Sequence, residues 1–397
     1  MSMNCEGMVQ RNFIVLLVLS LTQIVGWGVV SVLPVVAASV AGEFGASLPA
    51  VFLATSLMYV AMGLAAPVAG RAFRVFGARR VMAARAVLIG LGLALLALAP
   101  GLLVFWGLWI VIGLAGAMFL TTSAYAYIAE YAADQARRIM GTLMLATGLA
   151  SSVFWPITAF LDRLAGWRGA VLVYAVVMVL AVGPLVWFGL SETRTAAAPA
   201  AHRKDGGRRG AVFVLLAAAV ALNSFVTFGV QAVGIELLRT MGMDLSRAVA
   251  ISSLLGLFKV GGRVIDFLGG PRWDGLSTAI VSGAMIPIGL AGIWLGGAGI
   301  LSVAGYLVLF GVGSGAFAVA RATMPLVFFE KSDYASAMAA IALPMNLINA
   351  LAPPLIAALM AGIGAQATFA ILGGLSLAAF AVLLQLHRMR PRTAFAG

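Results

Sequence analysis

The sequence predicts an all-α polytopic membrane protein, with twelve transmembrane helices in two pseudo-symmetric bundles of six. Three observations carry this. Of 397 residues, 63% are hydrophobic and only 10% charged, against about 45–50% apolar and about 25% charged residues in soluble domains. The apolar stretches, such as Ala86–Trp106 and Ile341–Met360, are near-continuous. A membrane β-strand would instead read as about ten alternating residues, and helix bundles and closed barrels are the two ways to satisfy the backbone in lipid. A short basic, glycine-containing segment also occurs twice, once in each half of the chain.

Taking about 20 residues per span and breaking at charged or Gly/Pro clusters, the helix cores fall at 13–38, 50–69, 82–99, 103–129, 140–161, 169–190, 211–236, 247–267, 277–296, 300–321, 335–361 and 366–387. The first, from Phe13, is far longer than the ~7–15 apolar residues of a signal segment and is read as a retained span. The break between the ninth and tenth rests on Gly296-Gly297-Ala298-Gly299. Between the sixth and seventh lies Thr193 to Gly210, the longest polar stretch, rich in Ala, Pro and Gly. It predicts a flexible linker between an N-terminal bundle, 1–192, and a C-terminal bundle, 211–397, that ends in a short basic tail.

The net charge of +12 would suggest a nucleic-acid partner in a soluble protein. Its distribution says otherwise. With the N-terminus cytoplasmic, 20 of the 25 Lys and Arg residues fall on that side, four (Arg163, Arg168, Arg239, Arg247) fall outside, and Lys259 lies within a span. The positive-inside rule then places both termini in the cytoplasm. A multi-pass bacterial-type inner-membrane protein is expected, monomeric and without a nucleic-acid partner. The single Cys5 excludes an internal disulfide framework.

The duplicated segment is Ala69 to Arg80, AGRAFRVFGARR, after the second span, and Gly261 to Arg272, GGRVIDFLGGPR, after the eighth. They align without gaps at an offset of 192, pairing Gly70, Arg71, Gly77 and Arg80 with Gly262, Arg263, Gly269 and Arg272. A small-residue run, Gly113 to Phe119, is echoed by Gly311 to Phe317. Duplicated halves with a site near the midplane are the architecture of secondary transporters.

On these residues the chain resembles a major facilitator superfamily transporter. The family's loop signature, Gly-x-x-x-Asp-(Arg)-x-Gly-Arg-(Arg/Lys), is matched by Gly70, Gly77, Arg79 and Arg80. It departs at Arg74, where the family usually has Asp, while the second copy keeps Asp266. The resemblance implies that this loop helps lock helix ends during transport, and it makes Gly70, Gly77, Arg79, Arg80, Gly262, Asp266, Gly269 and Arg321 candidate gating residues. Bacterial relatives of monocarboxylate transporters are resembled more closely, through Gly26-Trp27-Gly28 with Pro34, Arg137-Arg138 leading to Gly148–Pro156, Gly166-Trp167-Arg168, Gly256–Asp266, and Arg321–Pro325 with Tyr334.

Ionisable residues inside a span are costly and mark function by default. All thirteen acids lie in tails, loops or near helix ends, which argues against a cation/proton antiporter built on a buried acid. The deep charge is positive. Lys259 lies about twelve residues, or roughly 18 Å, into the eighth span, with Arg263 one turn further on the same face. The monocarboxylate resemblance implies that a basic residue on this helix holds the substrate carboxylate, and Lys259 and Arg263 are the positions that could correspond. Polar stripes at helical spacing add Gln23, Trp27 and Ser31; Thr121 and Tyr125; Asn223, Thr227 and Gln231; Asn346 and Asn349. Each stripe could equally serve helix-to-helix hydrogen bonding. Trp27, Tyr125 and Trp155 could form an apolar wall.

No metal spacing, phosphate-binding glycine loop or catalytic constellation is present, so neither an enzyme nor a cofactor is expected. The leading expectation is a secondary transporter of a small organic anion, a monocarboxylate in class, with possible proton coupling through Lys259. Two alternatives stand beside it: efflux of a larger metabolite, drug or siderophore, and a non-transporting membrane sensor.

Overall fold

The computed structural model describes residues 2–132, 135–192, 210–269, 274–329 and 331–390. Of the predicted linker only Gly210 lies within them, and Arg272 of the second loop copy lies outside them.

Nine helical stretches among the described residues are long and apolar enough to cross a membrane. Two of these fold back on themselves, at Gly166 (φ 67°, ψ 173°) and at Gly364 (φ 81°, ψ 166°). Both positions adopt backbone conformations open to glycine alone at little cost. One further helix, Ala78–Leu96, carries three arginines in its first half and is therefore less apolar. Twelve spans result. In order they are α1 (Ser2–Val30 and Leu33–Phe44), α2 (Leu48–Phe76), α3 (Ala78–Leu96), α4 (Leu102–Gly116 and Thr121–Tyr131), α5 (Ala136–Thr147 and 150–165) and α6 (167–189). There follow α7 (Ala211–Thr240), α8 (Leu245–Gly269), α9 (Gly275–Gly296), α10 (300–323), α11 (331–363) and α12 (365–388). The glycine break expected between α9 and α10 is present, with Gly297 at φ 57°.

The chain divides into two compact units, Met1–Pro199 and Ala200–Gly397. In the first, three spans are interrupted in mid-course. Pro34 has no N–H to donate, and α1 breaks just before it, at Ser31–Val32. Within the break Val35 N–H turns to Val32 O (3.0 Å), so Ser31 O loses its normal helical donor. In α4 the bonds tighten through residues 117–120, and Ser123 N–H bonds to Leu120 O (2.8 Å) instead of Phe119 O. The third interruption separates the two pieces of α5 at Gly148 and Leu149. In the second unit α8 and α10 cross closely, because a Cβ on Gly315 would collide with the Lys259 carbonyl and one on Gly262 with the Val312 carbonyl. Small residues at such crossings let helices pack where lipid offers no hydrophobic contrast.

Candidate functional site

In the first unit the interrupted helices are closed by side chains. An unpaired backbone carbonyl in an apolar interior costs about 1–3 kcal/mol, and at the breaks in α1 and α4 three carbonyls find side-chain donors. Gln23 Nε2 donates to Phe119 O (2.8 Å), Trp155 Nε1 to Ser31 O (3.0 Å), and Ser123 Oγ to Ala117 O (3.0 Å). Trp27 Nε1 donates to Thr121 Oγ1 (2.6 Å) at the resumption of α4, and its ring stacks on Tyr59 at 6.5 Å. Gly28 abuts the Phe154 ring so closely that a Cβ has no room. The donors of Gln23, Trp27 and Trp155 are thus committed inside the unit. Gln23 is fully buried, and its Oε1 makes no hydrogen bond to a described residue. Tyr125 is half-buried one turn beyond Thr121.

In the second unit the α7 stripe separates into two kinds of residue. Asn223 is fully buried and its Nδ2 donates to Ala219 O (3.2 Å), while Thr227 Oγ1 donates to Asn223 O (2.8 Å); both serve their own helix. Gln231 reaches across, and its Oε1 accepts a hydrogen bond from Lys259 Nζ at 2.9 Å. Lys259 is half-buried. It stands fourteen residues from Leu245 and ten from Gly269, about 21 and 15 Å along the helix, close to mid-span. Among the described residues no carboxylate oxygen lies within ion-pair distance of it. Arg263 follows one turn later, half-buried. On α11, Asn346 is exposed, whereas Asn349 is half-buried with its Oδ1 enclosed.

A sequence profile of the Major Facilitator Superfamily matches residues 16–306. The chain belongs to this superfamily. Among solved structures, superfamily-type folds align along almost the whole chain. A bacterial homologue of the human lysosomal transporter Spinster matches in its inward-facing occupied conformation with TM-score 0.73 at 17% identity, covering 96% of this chain and 98% of that one. The same homologue in its inward-facing unoccupied conformation matches with TM-score 0.75 at 16% identity, covering 97% and 99%. The human organic anion transporter MFSD10 (TETRAN) matches with TM-score 0.65 at 16% identity, covering 94% and 99%. At these identities the likeness carries the fold. No curated protein matches the sequence.

The superfamily loop signature closes each unit differently. In the first, Gly77 ends α2 with φ 84°, and the loop arginines meet an acid at the end of α6. Arg79 Nε lies 3.1 Å and Arg80 Nε 3.5 Å from Glu192 Oε2, and the Arg79 guanidinium sits 5.4 Å from the Trp187 ring. A Cβ on Gly77 would collide with the Glu192 carboxylate, while Gly70 has open space around it apart from the Arg74 guanidinium at 3.8 Å. In the second unit Asp266 Oδ1 accepts from Thr278 Oγ1 (2.6 Å), with Gly269 half-buried at the end of α8. Asp274 caps α9 by accepting from Ser277 N–H (2.8 Å) and forms an ion pair with Arg390, beyond α12. Both units therefore tie the loop after their second span to the end of their sixth, with the charge signs exchanged. Arg321 directs Nη1 toward Met345 Sδ (3.8 Å).

At the opposite end of the first unit, Arg168 fastens three helices. Nε bonds Glu43 Oε1 (2.8 Å), Nη1 bonds Ala97 O (2.5 Å) and Nη2 bonds Ala99 O (2.7 Å), while the guanidinium lies 4.6 Å from the Trp167 ring. Trp167 Nε1 also donates to Glu43 Oε2 (2.5 Å). In the sequence Arg168 stands out as an outside charge and within Gly166-Trp167-Arg168, whereas nothing in it pairs Glu43, Glu192, Asp274 or Arg390 with their partners at these ties. The signals available were an acid or a base standing at the end of a span and the Asp-x-x-Ser spacing of a helix cap. Among the described residues no group of three His, Cys, Asp or Glu side chains could hold a metal ion.

Proposed function

We propose that this superfamily transporter moves a small organic anion, a monocarboxylate in class, across a bacterial inner membrane by alternating access of its two six-helix bundles. The observation that carries this is Lys259: a mid-span ammonium held by one neutral amide oxygen, with no acid in reach among the described residues. An ammonium at the centre of a span costs about 2.5–3.5 kcal/mol on insertion scales. The Gln231 amide satisfies one donor but leaves the charge uncompensated. A carboxylate ligand supplies both a hydrogen-bond acceptor and the missing charge, and a charge-assisted bond is roughly twice as strong as a neutral one. Arg263, one turn away, assists at the inner gate.

Neutralisation of Lys259 by the substrate favours reorientation of the loaded carrier, and exchange of the lysine proton offers a route for coupling. Both termini lie in the cytoplasm on this reading, which the distribution of arginines supports. Support rests on the lysine and its surroundings. One structural neighbour is an organic anion transporter, and its likeness is one of fold.

Uptake into proteoliposomes, measured over a panel of small carboxylates and bulky amphiphiles, tests the proposal. Small monocarboxylates should accumulate and compete with one another, and Lys259→Gln should lower their uptake by about tenfold or more, equivalent to one lost interaction of about 1.4 kcal/mol. Normal transport by correctly inserted Lys259→Gln, or transport confined to amphiphiles, would overturn it.

A further inference from the structure

The two copies of the loop segment differ in a concerted way. At the offset of 192 residues Arg74 stands opposite Asp266, and Ala86 stands opposite Thr278. In the second unit these two residues form a hydrogen bond of 2.6 Å, with Asp266 half-buried. In the first unit both members are replaced together. Ala86 is fully buried and offers no polar atom, while Arg74 is exposed. Arg71, one turn earlier, is exposed as well, and neither has an ion-pair partner among the described residues. Glu192 is already engaged by Arg79 and Arg80, and the Arg80 side chain remains 59% exposed.

The arginines continue an apolar stripe. Leu64, Val68, Arg71 and Val75 recur along one face of α2 at spacings of four, three and four, and the three apolar members are exposed, as is Phe76 beside them. An exposed apolar stripe on a membrane span lies against acyl chains. Arg71 and Arg74, about 10 and 15 Å beyond Leu64, stand at headgroup depth, where basic side chains attract anionic lipid. A guanidinium fork matches the geometry of a phosphate bidentately.

We propose that Arg71, Arg74 and the exposed side of Arg80 form a headgroup site for an anionic phospholipid. The phosphate is received by the guanidinium groups, and the acyl chains run back from Arg71 along Val68 and Leu64. The second unit carries an acid, Asp266, at the position of Arg74. This inference does not depend on which anion is transported.

The test uses the full-length protein in detergent, titrated with phosphatidylglycerol, with phosphatidylcholine of the same acyl chains, or with inorganic phosphate, with the melting temperature as readout. Phosphatidylglycerol should raise the melting temperature more than phosphatidylcholine, and inorganic phosphate should not reproduce the rise. Arg71→Gln with Arg74→Gln should at least halve the phosphatidylglycerol effect. Arg74→Asp with Ala86→Thr, which transplants the pair of the second unit, should diminish it too and provides a second variant should the first fail to fold. Arg247→Gln, on an exposed arginine elsewhere, should retain the full effect. An equal response to phosphatidylglycerol in parent and variants, an equal response of the parent to both lipids, or an equal response to inorganic phosphate would overturn the proposal.

Discussion

Arg168 provides the most quantitative test of how the first unit is held together. Its guanidinium makes three hydrogen bonds, to Glu43 and to the carbonyls of Ala97 and Ala99 at the end of α3, and packs against Trp167. Those carbonyls follow the last full turn of the helix and have no further N–H within it. In Arg168→Leu the two charged bonds to carbonyls are lost, each worth about 1–1.5 kcal/mol at a site partly open to solvent. The Glu43 pair adds little, at most about 0.5 kcal/mol, because the two side chains are 42% and 31% exposed and solvent screens them. The cation–π contact adds about 0.5 kcal/mol. The total is about 3 kcal/mol, and at about 2–4 °C per kcal/mol for a unit of this size the melting temperature should fall by about 6–12 °C. Arg168→Lys should recover less than half of the loss, since an ammonium cannot span two carbonyls and a carboxylate at once. Glu43→Gln should cost about 1 kcal/mol or less. Melting of purified protein, followed by tryptophan fluorescence, measures all three. An Arg168→Leu protein melting within about 2 °C of the parent would refute this assignment of the energy.

Other perturbations have directions set by the same contacts. Gly315→Val forces a side chain into the Lys259 carbonyl; it should separate α8 and α10, destabilise by about 1–3 kcal/mol and lower transport, checked by melting and uptake. Trp155→Phe keeps the packing but leaves Ser31 O without its donor, and should cost about 1–3 kcal/mol in thermal stability. Glu192→Gln weakens the tie between the α2–α3 loop and α6, and should raise proteolysis or hydrogen exchange at that loop more than elsewhere. Asp274 has a carboxyl held below its ordinary value: burial pushes it up, but the Ser277 hydrogen bonds and Arg390 together outweigh burial. A carboxyl with a lowered folded pKa stabilises above its unfolded value, near 3.9, and loses that contribution as pH falls through the folded value. The melting temperature should therefore decline as pH falls from about 3.9 toward the folded value, and Asp274→Asn should flatten part of the decline.

The fold was legible in the sequence because hydropathy is a local property that sums along the chain. Twenty apolar residues between charged or glycine-rich breaks demand a helix in lipid whatever their neighbours are, and a gapless repeat at 192 residues announces duplication. Even α3, with its arginines at 79, 80 and 85, was recovered from its position between two clear spans. Lys259 was equally visible, since a mid-span charge stands out against an apolar background. The Gln231 amide that meets it belongs to a polar stripe in which nothing in the spacing distinguishes it from Asn223 and Thr227, which bond their own helix.

Tertiary structure decided which polar groups are occupied. Which carbonyl each break in α1 and α4 releases depends on how the chain resumes after it. Gln23 meets Phe119 O and Trp155 meets Ser31 O only because the bundle brings residues 96 and 124 positions apart into contact. The charge partners follow the same logic: Arg79 and Glu192 are 113 residues apart, and Asp274 and Arg390 are 116. The sequence by itself determined the membrane class, the spans, the duplication and the lone deep cation, because these follow from composition and local pattern. Which donors each unit consumes internally, and which side chains remain for a ligand or a lipid, depended on distances that only the folded bundles define.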